Sequence, residues 1–166
     1  MILSYQNNKP VIDDTVFVAV NASVIGQVYI EKHSSIWFGA ILRGDLDCIS
    51  IGHYTSVQDG TIIHVGKNHP TKIGNYVTIG HGAILHACTV QNNVLIGSGA
   101  NILDGVEVGE SSIIAAGSVI SPNTIIPANS MVMGIPGKVI RKLTEKEIAG
   151  LKEHALHYSE LMKNYK

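Results

Sequence analysis

The sequence predicts an all-β solenoid that ends in an α-helix. An aliphatic residue recurs at every sixth position through most of the chain, and 17 glycines are spread among these hexads. The repeat stops near residue 132, and apolar residues then follow at helical spacing. A period of six fits neither the turn of an α-helix nor a long alternating strand, so each hexad is predicted to be a short strand and a corner.

The hexad repeat is strictest in the second half of the chain, where aliphatic residues follow one another at intervals of six without exception. They are Val90, Ile96, Ile102, Val108, Ile114, Ile120, Ile126 and Val132. A small or β-branched residue stands four positions after each of the first seven, which predicts a second inward-facing position. The same phase occurs upstream in three series. They are Ile12, Val18, Val24, Ile30, Ile36 and Leu42; Ile51, Val57 and Ile63; and Ile73, Ile79 and Leu85.

Three irregular intervals separate these series. The spacing grows to nine residues after Leu42 and to ten after Ile63, and it shrinks to five after Leu85. Insertions and deletions in a repeat fall in the connections between its strands, where functional residues concentrate. We therefore expect protruding or distorted corners at these three places.

The hexads combine an aliphatic residue, often a glycine next to it, and a small residue four positions on. This pattern resembles the hexapeptide-repeat proteins. The resemblance implies a single-stranded left-handed parallel β-helix of triangular cross-section, with three hexads in each coil. The period by itself predicts a solenoid but not its hand. We assign residues 1–143 to this β-helix domain.

Residues 144–166 form a second segment with a different pattern. Thr144 and Glu147 have the spacing of a capping box, and apolar residues then recur on one helical face. They are Ile148, Leu151, Ala155, Tyr158 and Met162. The sequence predicts a helix from about 145 to 163. We expect it to pack on the solenoid or on a neighbouring subunit, as a cap without chemistry of its own.

The composition restricts the classes of partner. The 166 residues suffice for a single fold, 45% of them are hydrophobic but only 5% aromatic, and the formal net charge is -1. Since Lys and Arg do not cluster, neither nucleic acid nor a membrane is an expected partner. The N-terminus lacks the pattern of a signal peptide, and no apolar stretch is long enough to span a membrane, so we expect a cytoplasmic protein. Cys48 and Cys88 are expected to be free thiols in that compartment.

Two histidines fall at equivalent positions of adjacent coils. His64 follows Ile63, His86 follows Leu85, and three hexad steps separate them. Three steps make one coil, so both side chains are predicted to point outward from one face, one rung or roughly 4.8 Å apart. By the same count Arg43 lies one rung below His64. The column suits two imidazole ligands of a single metal ion.

His81 stands one face earlier than His86 and one rung above Asp59. A corner separates His81 from His86, so one chain cannot easily bring both imidazoles to a metal–nitrogen distance of about 2.0–2.1 Å. His81 of a neighbouring chain can complete a site begun by His64 and His86, and three-fold closure repeats that site in a ring. Three imidazoles with an open fourth position lower the pKa of zinc-bound water towards 7.

The alternative for any of these histidines is a solvated side chain or a subunit contact. That alternative is what we expect of four others. They are His33, His53, His154 and His157.

The residues around the three histidines form a set with a recognisable order. The set is Arg43-Gly44-Asp45, Gln58-Asp59, His64 and His81-x4-His86. It resembles the γ-class carbonic anhydrases and their carbonic anhydrase-like relatives, and the resemblance extends over the whole chain. It implies that His64 and His86 of one subunit and His81 of the next bind Zn2+, or else Fe2+ or Co2+, in a homotrimer. The implied reaction is the reversible hydration of CO2 to bicarbonate.

The resemblance also implies roles for the polar residues of this set. Gln58 would hydrogen-bond the metal-bound hydroxide or bicarbonate. Arg43 would pair with Asp45 and Asp59 across the trimer interface, a task that suits the planar fork of a guanidinium. These residues would build the interface and thereby the site.

The sequence departs from the most active members of that family in its acidic residues. Leu46 stands where those enzymes have an acidic residue, and no Asp or Glu occurs between Asp59 and Asp104. The family's glutamate proton shuttle is therefore missing, and we expect proton export to limit turnover. His69, in the inserted loop after His64, is either its replacement, since an imidazole exchanges protons near neutral pH, or a solvated loop residue.

Two other functions fit the sequence. Other hexapeptide-repeat proteins transfer acyl groups from acyl-CoA, and the segment Gly134-Ile135-Pro136-Gly137-Lys138 also resembles theirs. His69 or His81 would then act as the general base. An acyltransferase needs no metal, so stoichiometric metal discriminates between the two reactions. The remaining function is that of a homologue that binds the metal without turnover, which the missing carboxylate favours.

Overall fold

The computed structural model describes residues 1–165 and confirms the predicted solenoid, with about 7 turns of parallel strands and one C-terminal helix. Lys166, the last residue of the predicted helical segment, lies outside the described residues. The strands are β1 (Ile2–Leu3), β2 (Val11–Ile12), β3 (Phe17–Val18), β4 (Ser23–Ile30), β5 (Ser35–Ile36), β6 (Ile41–Ile51), β7 (Ser56–Val57), β8 (Ile62–His64), β9 (Thr71–Ile73), β10 (Thr78–Ile79), β11 (Ile84–His86), β12 (Thr89–Val90), β13 (Leu95–Ile96), β14 (Asn101–Ile102), β15 (Glu107–Val108), β16 (Ile113–Ile114), β17 (Val119–Ile120), β18 (Ile125–Ile126), β19 (Ser130–Gly134) and β20 (Gly137–Lys142).

The strands stack into three faces, hereafter faces 1, 2 and 3. Face 1 carries β8, β11, β14 and β17 above the first half of β6, and face 2 carries β9, β12, β15 and β18 above its second half. Face 3 runs from β3 through β5, β7, β10, β13 and β16 to β19. Neighbouring strands of these faces pair in parallel, so a side chain in one coil lies over its counterpart in the coil below.

The predicted hexad residues form the core. From Val24 to Val132 each of them is at most 3% exposed, whereas Ile12 and Val18 in the first coil are partly buried. Burying one such aliphatic side chain stabilises a fold by about 1.5–3 kcal/mol. The predicted second inward positions are buried as well, except for Thr124, which is partly buried. The repeat therefore places an apolar residue inside each face of each coil.

The long interval after Leu42 forms a distorted corner, as expected, although this corner lies within a continuous strand. The chain continues as the 11-residue strand β6 to Ile51, which crosses from face 1 to face 2. Its pairing with β4 shifts register between Gly26 and Val28. Gly26 has a φ of +76°, and a Cβ built there would lie 2.3 Å from the carbonyl oxygen of Gly44. The two coils approach closely at this point. Because Gly44 pairs with Gly26 and Ile49 with Val28, residues 45–48 bulge opposite the single residue Gln27.

The other two irregular intervals also fall at corners. After Ile63 the insertion closes as a tight loop, in which the N–H of Gly66 donates to the carbonyl of His69 at 2.9 Å and the reverse bond is 3.2 Å. After Leu85 the deletion makes a short corner in which Ala87 adopts a φ of +46°. Both corners connect face 1 to face 2.

The chain after Val132 contains one strand that the sequence analysis missed. β20 pairs antiparallel with β19, and all but one of its residues are exposed, so no buried period marks it. The helix α1 (Glu145–Leu161) begins at the predicted capping box, since Thr144 accepts from the N–H of Glu147 and the Glu147 side chain accepts from the N–H of Thr144. A short 3-10 helix (Met162–Tyr165) follows, so the α-helix ends slightly earlier than predicted.

The helix packs on face 3 of its own chain. Leu151, Ala155 and Met162 are buried, and the ring of Tyr158 lies 6.0 Å from that of Trp37, beside β5. In the part of the chain that the structure describes, no helix is long and apolar enough to span a bilayer.

Candidate metal centre

The parallel register of face 1 places Arg43, His64 and His86 in the predicted column. Arg43 on β6 pairs with His64 on β8, and His64 pairs with His86 on β11. The two imidazole rings lie one above the other, with centroids 5.1 Å apart. Their inward neighbours, Ile63 and Leu85, are fully buried. The core therefore fixes the backbone on which both histidines stand.

A chain of close polar contacts runs along this column. Asp45 contacts the Arg43 guanidinium and also lies 2.8 Å from Nε2 of His64. Nδ1 of His64 lies 3.1 Å from Nε2 of His86, and Nδ1 of His86 lies 2.6 Å from a carboxylate oxygen of Asp104. The two imidazoles are held between two carboxylates.

The two carboxylates determine which nitrogen of each imidazole carries a proton. Although partial burial opposes ionisation of Asp45, hydrogen bonds from His64 and Arg43 keep the pKa of that carboxyl below its ordinary value. An ionised carboxylate only accepts hydrogen bonds. In the neutral imidazoles, Nε2 of His64 therefore donates to Asp45, and Nδ1 of His86 donates to Asp104. The remaining nitrogens, Nδ1 of His64 and Nε2 of His86, face each other with one lone pair each.

Two facing lone pairs repel unless a cation binds both of them. Nitrogens about 2.0–2.1 Å from one tetrahedral metal ion are about 3.3 Å from each other, and the observed separation is 3.1 Å. A carboxylate bonded to the distal nitrogen of a ligand is also usual around histidine-bound metals. His64 and His86 thus fit two of the ligand positions of a zinc-like site.

His81 lies on a different part of the solenoid. It follows β10 at the corner between faces 3 and 1, its Nδ1 lies 2.8 Å from Asp59, and its side chain is 56% exposed. Within residues 1–165 of one chain, no three histidine, cysteine or acidic side chains converge into a metal site. A third protein ligand for His64 and His86 would therefore come from another molecule.

A groove of about 270 Å³ lies beside His81, between face 3 and α1. Gln58 lines this groove and is only 4% exposed, and the helix contributes His154 and Tyr158. Nδ1 of His154 lies 3.2 Å from the hydroxyl of Thr78, and partial burial lowers the pKa of this histidine. The hexad period does not predict this groove, because it does not determine where the helix docks.

Arg43 contacts one of its two predicted partners within the chain. Its side chain is 45% exposed and pairs with Asp45. The carboxylate of Asp59 contacts His81 in the same chain. The pairing of Arg43 across an interface involves a second molecule and stays a prediction.

Asp104 is the residue of this cluster to which the sequence analysis assigned no role. It stands two positions after Ile102, whereas His86 stands one position after Leu85, so the two residues are not equivalent in the hexads. A turn closed by a 3.2 Å hydrogen bond from Val106 to Leu103 carries the Asp104 carboxylate to His86. Counting coils places Asp104 one rung above but does not give the direction of its side chain.

The inserted loop places His69 in a second groove, of about 230 Å³, at the corner between faces 1 and 2. Lys72, Cys88 and Glu107 line the same groove, and the His69 side chain is exposed. Burial raises the pKa of the Cys88 thiol to about 12, which makes it unreactive at neutral pH. Both cysteines are free, as predicted.

Among known proteins, a family model matches part of the repeat, whereas several relatives match nearly the whole chain. The bacterial transferase hexapeptide model matches residues 87–122. The carbonic anhydrase of Geobacillus kaustophilus is 40% identical over 100% of this chain and 91% of its own length. Gamma carbonic anhydrase 1 of Arabidopsis thaliana, a mitochondrial protein, is 45% identical over 96% of this chain. The crystal structure of a hexapeptide transferase family protein from Anaplasma phagocytophilum is 42% identical, with a TM-score of 0.96 over 99% of this chain and 98% of that one.

These matches differ in how much of each relative they cover. The chain spans 60% of the length of the Arabidopsis relatives, but it covers the Geobacillus protein almost completely. The transferase model covers only a part of the repeat. The match to the Geobacillus carbonic anhydrase over nearly its full length, together with the 45% identity to gamma carbonic anhydrase 1 of Arabidopsis, shows that the chain belongs to the γ carbonic anhydrase family.

Proposed function

We propose that this protein reversibly hydrates CO2 to bicarbonate at metal sites shared between the subunits of a homotrimer. The observation that carries the proposal is the pair of facing acceptor nitrogens on His64 and His86, 3.1 Å apart. This pair suits a divalent cation but needs further ligands. His81, exposed at the adjoining corner, is the imidazole that a neighbouring molecule can offer. The names of the Geobacillus and Arabidopsis relatives support the reaction.

Face 1 also exposes the apolar surface that such an assembly needs. Ile41, Ile62 and Ile84 stack in register, two positions before the residues of the histidine column. They are 38%, 40% and 38% exposed. Burial of this ladder against another copy stabilises the contact by roughly 25 cal/mol per Å² of apolar area. Because the ladder adjoins the column, a copy docked there reaches the two histidines.

In the proposed reaction, the metal ion and the residues around it have separate roles. A bound divalent ion, Zn2+ or else Fe2+ or Co2+, supplies the Lewis acidity that lowers the pKa of a coordinated water towards 7. Gln58, buried beside His81, offers an amide N–H to an oxygen of bicarbonate. Arg43 holds Asp45 in place, and Asp45 in turn orients His64.

Hydration of CO2 releases one proton for each bicarbonate formed, and that proton has to leave the site. The chain has no Asp or Glu between Asp59 and Asp104, and Leu46, beside Asp45, is an apolar side chain that is 53% exposed. We expect proton transfer to the bulk buffer to limit the turnover rate.

A second candidate function is acyl transfer from an acyl-CoA. The observation that favours it is the match of residues 87–122 to the transferase hexapeptide model, together with the description of the Anaplasma structure. His69 or His81 would be its general base. A third candidate is a homologue that binds the metal without hydrating CO2, which the missing carboxylate favours.

One series of measurements separates the three functions. The protein is purified anaerobically and examined by metal analysis, sedimentation equilibrium and stopped-flow CO2 hydration. The proposal expects a trimer with about one metal ion per chain and hydration that is lost when the metal is removed. A metal-loaded trimer without hydration indicates the non-catalytic homologue. Metal-free protein that transfers acetyl groups from acetyl-CoA supports the second function, and a monomer that retains its metal contradicts the shared site.

A further inference from the structure

The corner that carries Asp104 is fixed to the coils on both sides of it. The carbonyl oxygen of Asp104 accepts a 2.8 Å hydrogen bond from the N–H of Asn123 in the coil above. The next residue, Gly105, donates a 2.8 Å hydrogen bond to the carbonyl of Ala87 in the coil below, and Ala87 adjoins His86. The backbone therefore holds the Asp104 carboxylate beside this imidazole, although the Asp104 side chain is 62% exposed.

The contact between the two side chains is short and directional. An oxygen of Asp104 lies 2.6 Å from Nδ1 of His86, and Nε2 of the same ring faces His64. Without an acceptor at Nδ1, a neutral imidazole can carry its proton on either nitrogen. Only the tautomer with the proton on Nδ1 offers a lone pair towards His64.

We propose that Asp104 is a positioning residue, which fixes the tautomer and the ring orientation of His86 so that Nε2 is available to a metal ion. The inference rests on the proposed function for the identity of the bound ion. The tautomer that it requires, however, exists in the metal-free protein as well. Asp45 acts on His64 in the same way but from the coil below, and it selects the opposite tautomer.

Removal of the Asp104 carboxylate is expected to weaken metal binding and to leave the fold intact. The side chain is largely exposed, and substitutions of exposed side chains seldom change the stability of a fold appreciably. Partners of metal-binding histidines, by contrast, typically contribute about 10–100-fold to metal affinity. The fold and the site can therefore be measured separately.

The first arm of the test compares the wild-type protein with Asp104→Ala, Asp104→Asn and Glu107→Gln. Histidine-ring 15N NMR, recorded without metal at about pH 8.5, where imidazoles are neutral, reports the tautomer. We expect the Nδ1-protonated form of His86 to dominate in the wild type and both forms to be populated in Asp104→Ala. Asp104→Asn keeps an accepting oxygen and should retain much of the preference. Glu107→Gln, which changes an exposed carboxylate of the same coil, should match the wild type.

The second arm titrates the same proteins with Zn2+ in competition with a chelator. We expect Asp104→Ala to weaken Zn2+ binding by about 10–100-fold, Asp104→Asn to weaken it less, and Glu107→Gln to leave it unchanged. An Asp104→Ala protein with both the wild-type tautomer and the wild-type affinity overturns the inference. A wild-type protein that binds no Zn2+ contradicts the proposed function instead, and the NMR arm then still decides whether Asp104 selects the tautomer.

Discussion

Residues 42–86 and residues 90–132 have the same kind of core and different surfaces. In both stretches the hexad residues are at most 3% exposed. The first stretch contains two intervals longer than six and five of the histidines, whereas the second keeps its period of six throughout and has no histidine. The inward positions are alike in the two stretches, and the candidate ligands occur only in the irregular one.

The difference teaches that fold and chemistry are specified by separate positions of the same strands. Leu85 points into the core and is fully buried, while the next residue, His86, points outward. The transferase hexapeptide model matches residues 87–122, which contain no histidine. The match to this model therefore supports the hexapeptide repeat but says little about the candidate metal site. Relatives that match the whole chain include the histidine-containing stretch.

Substitutions at Leu85 and His86 test most directly whether inward positions determine the fold and outward positions the chemistry. Leu85→Ala removes a fully buried side chain and is expected to lower the free energy of unfolding by about 2–5 kcal/mol. His86→Ala changes a side chain that is 32% exposed, and in the metal-free protein it should change that free energy by no more than about 0.5 kcal/mol. Urea unfolding followed by Trp37 fluorescence measures both. Equal losses would contradict the separation of fold and chemistry.

The candidate ligands test the surface of the first stretch. His64→Ala, His81→Ala and His86→Ala should each abolish stoichiometric Zn2+ binding, with affinity reduced more than about 100-fold, because a site with two protein ligands is poor. His53→Ala, in the same stretch but outside the cluster, is the matched control. Metal analysis after gel filtration gives the stoichiometry. If one of the three variants retains the wild-type metal content, the histidine that it replaces is not a metal ligand.

The sequence predicts the coil register and the histidine column because both follow from counting inward residues. The core enforces that count, so an outward residue such as His64 inherits a definite place above Arg43. Corners obey a weaker rule. The nine-residue interval predicts an irregular corner after Leu42, but it does not predict that the strand stays continuous there or that Gly26 packs against Gly44.

Contacts between side chains could not be predicted from the hexad repeat either. Asp104 reaches His86 through the conformation of one turn. The groove beside His81 is lined in part by Tyr158 of the docked helix, whose ring lies near that of Trp37. Both features depend on tertiary packing and not on local sequence pattern. The sequence predicted the candidate histidines, and the structure adds the carboxylate and the groove that surround them.

Arg43 tests whether a residue of the histidine column can affect the site without binding the metal, because it lies in that column and is not a candidate ligand. Arg43→Ala should weaken the trimer first, by about tenfold in dissociation constant, and lower metal affinity as a consequence. Arg43→Lys keeps the charge but loses the planar fork, so it should recover only part of the loss. Sedimentation equilibrium with parallel metal analysis provides the measurement. Intact trimers with an unchanged metal content would show that Arg43 does not act at an interface.

The C-terminal helix differs from both stretches, because a titratable residue, Glu147, contributes to its attachment. Glu147 accepts hydrogen bonds of 2.7 and 2.9 Å from the Arg141 guanidinium and one of 2.8 Å from the N–H of Thr144. These contacts, with Arg141 first, lower the pKa of Glu147 from 4.5 to about 2. A lowered pKa means that the contact stabilises the fold fully above pH 4.5 and is lost as the pH falls towards 2.

We therefore expect the stability of the helix attachment to fall between about pH 4.5 and 2 and Glu147→Gln to remove that part of the pH dependence. Near-ultraviolet circular dichroism of Trp37, which Tyr158 and Tyr165 contact, reports whether the helix stays on face 3. Lys163 of the 3-10 helix, which pairs with Glu160 at the end of α1, gives the matched control Lys163→Gln. Identical pH profiles for the wild type and Glu147→Gln would show that this ion pair does not hold the helix.

His69→Ala is expected to have the smallest effect, although the loop that carries it belongs to the irregular stretch. The His69 side chain is exposed, and it lines a groove with Lys72 and Glu107, whereas His64 and His86 do not line that groove. A proton carrier has to come within hydrogen-bond reach of its donor, directly or through one water. We therefore expect kcat and kcat/KM for CO2 hydration in weak buffer to be unaltered, with the bulk buffer as proton acceptor. A lower kcat with unchanged kcat/KM, restored by added imidazole, would instead identify His69 as the replacement for the missing glutamate.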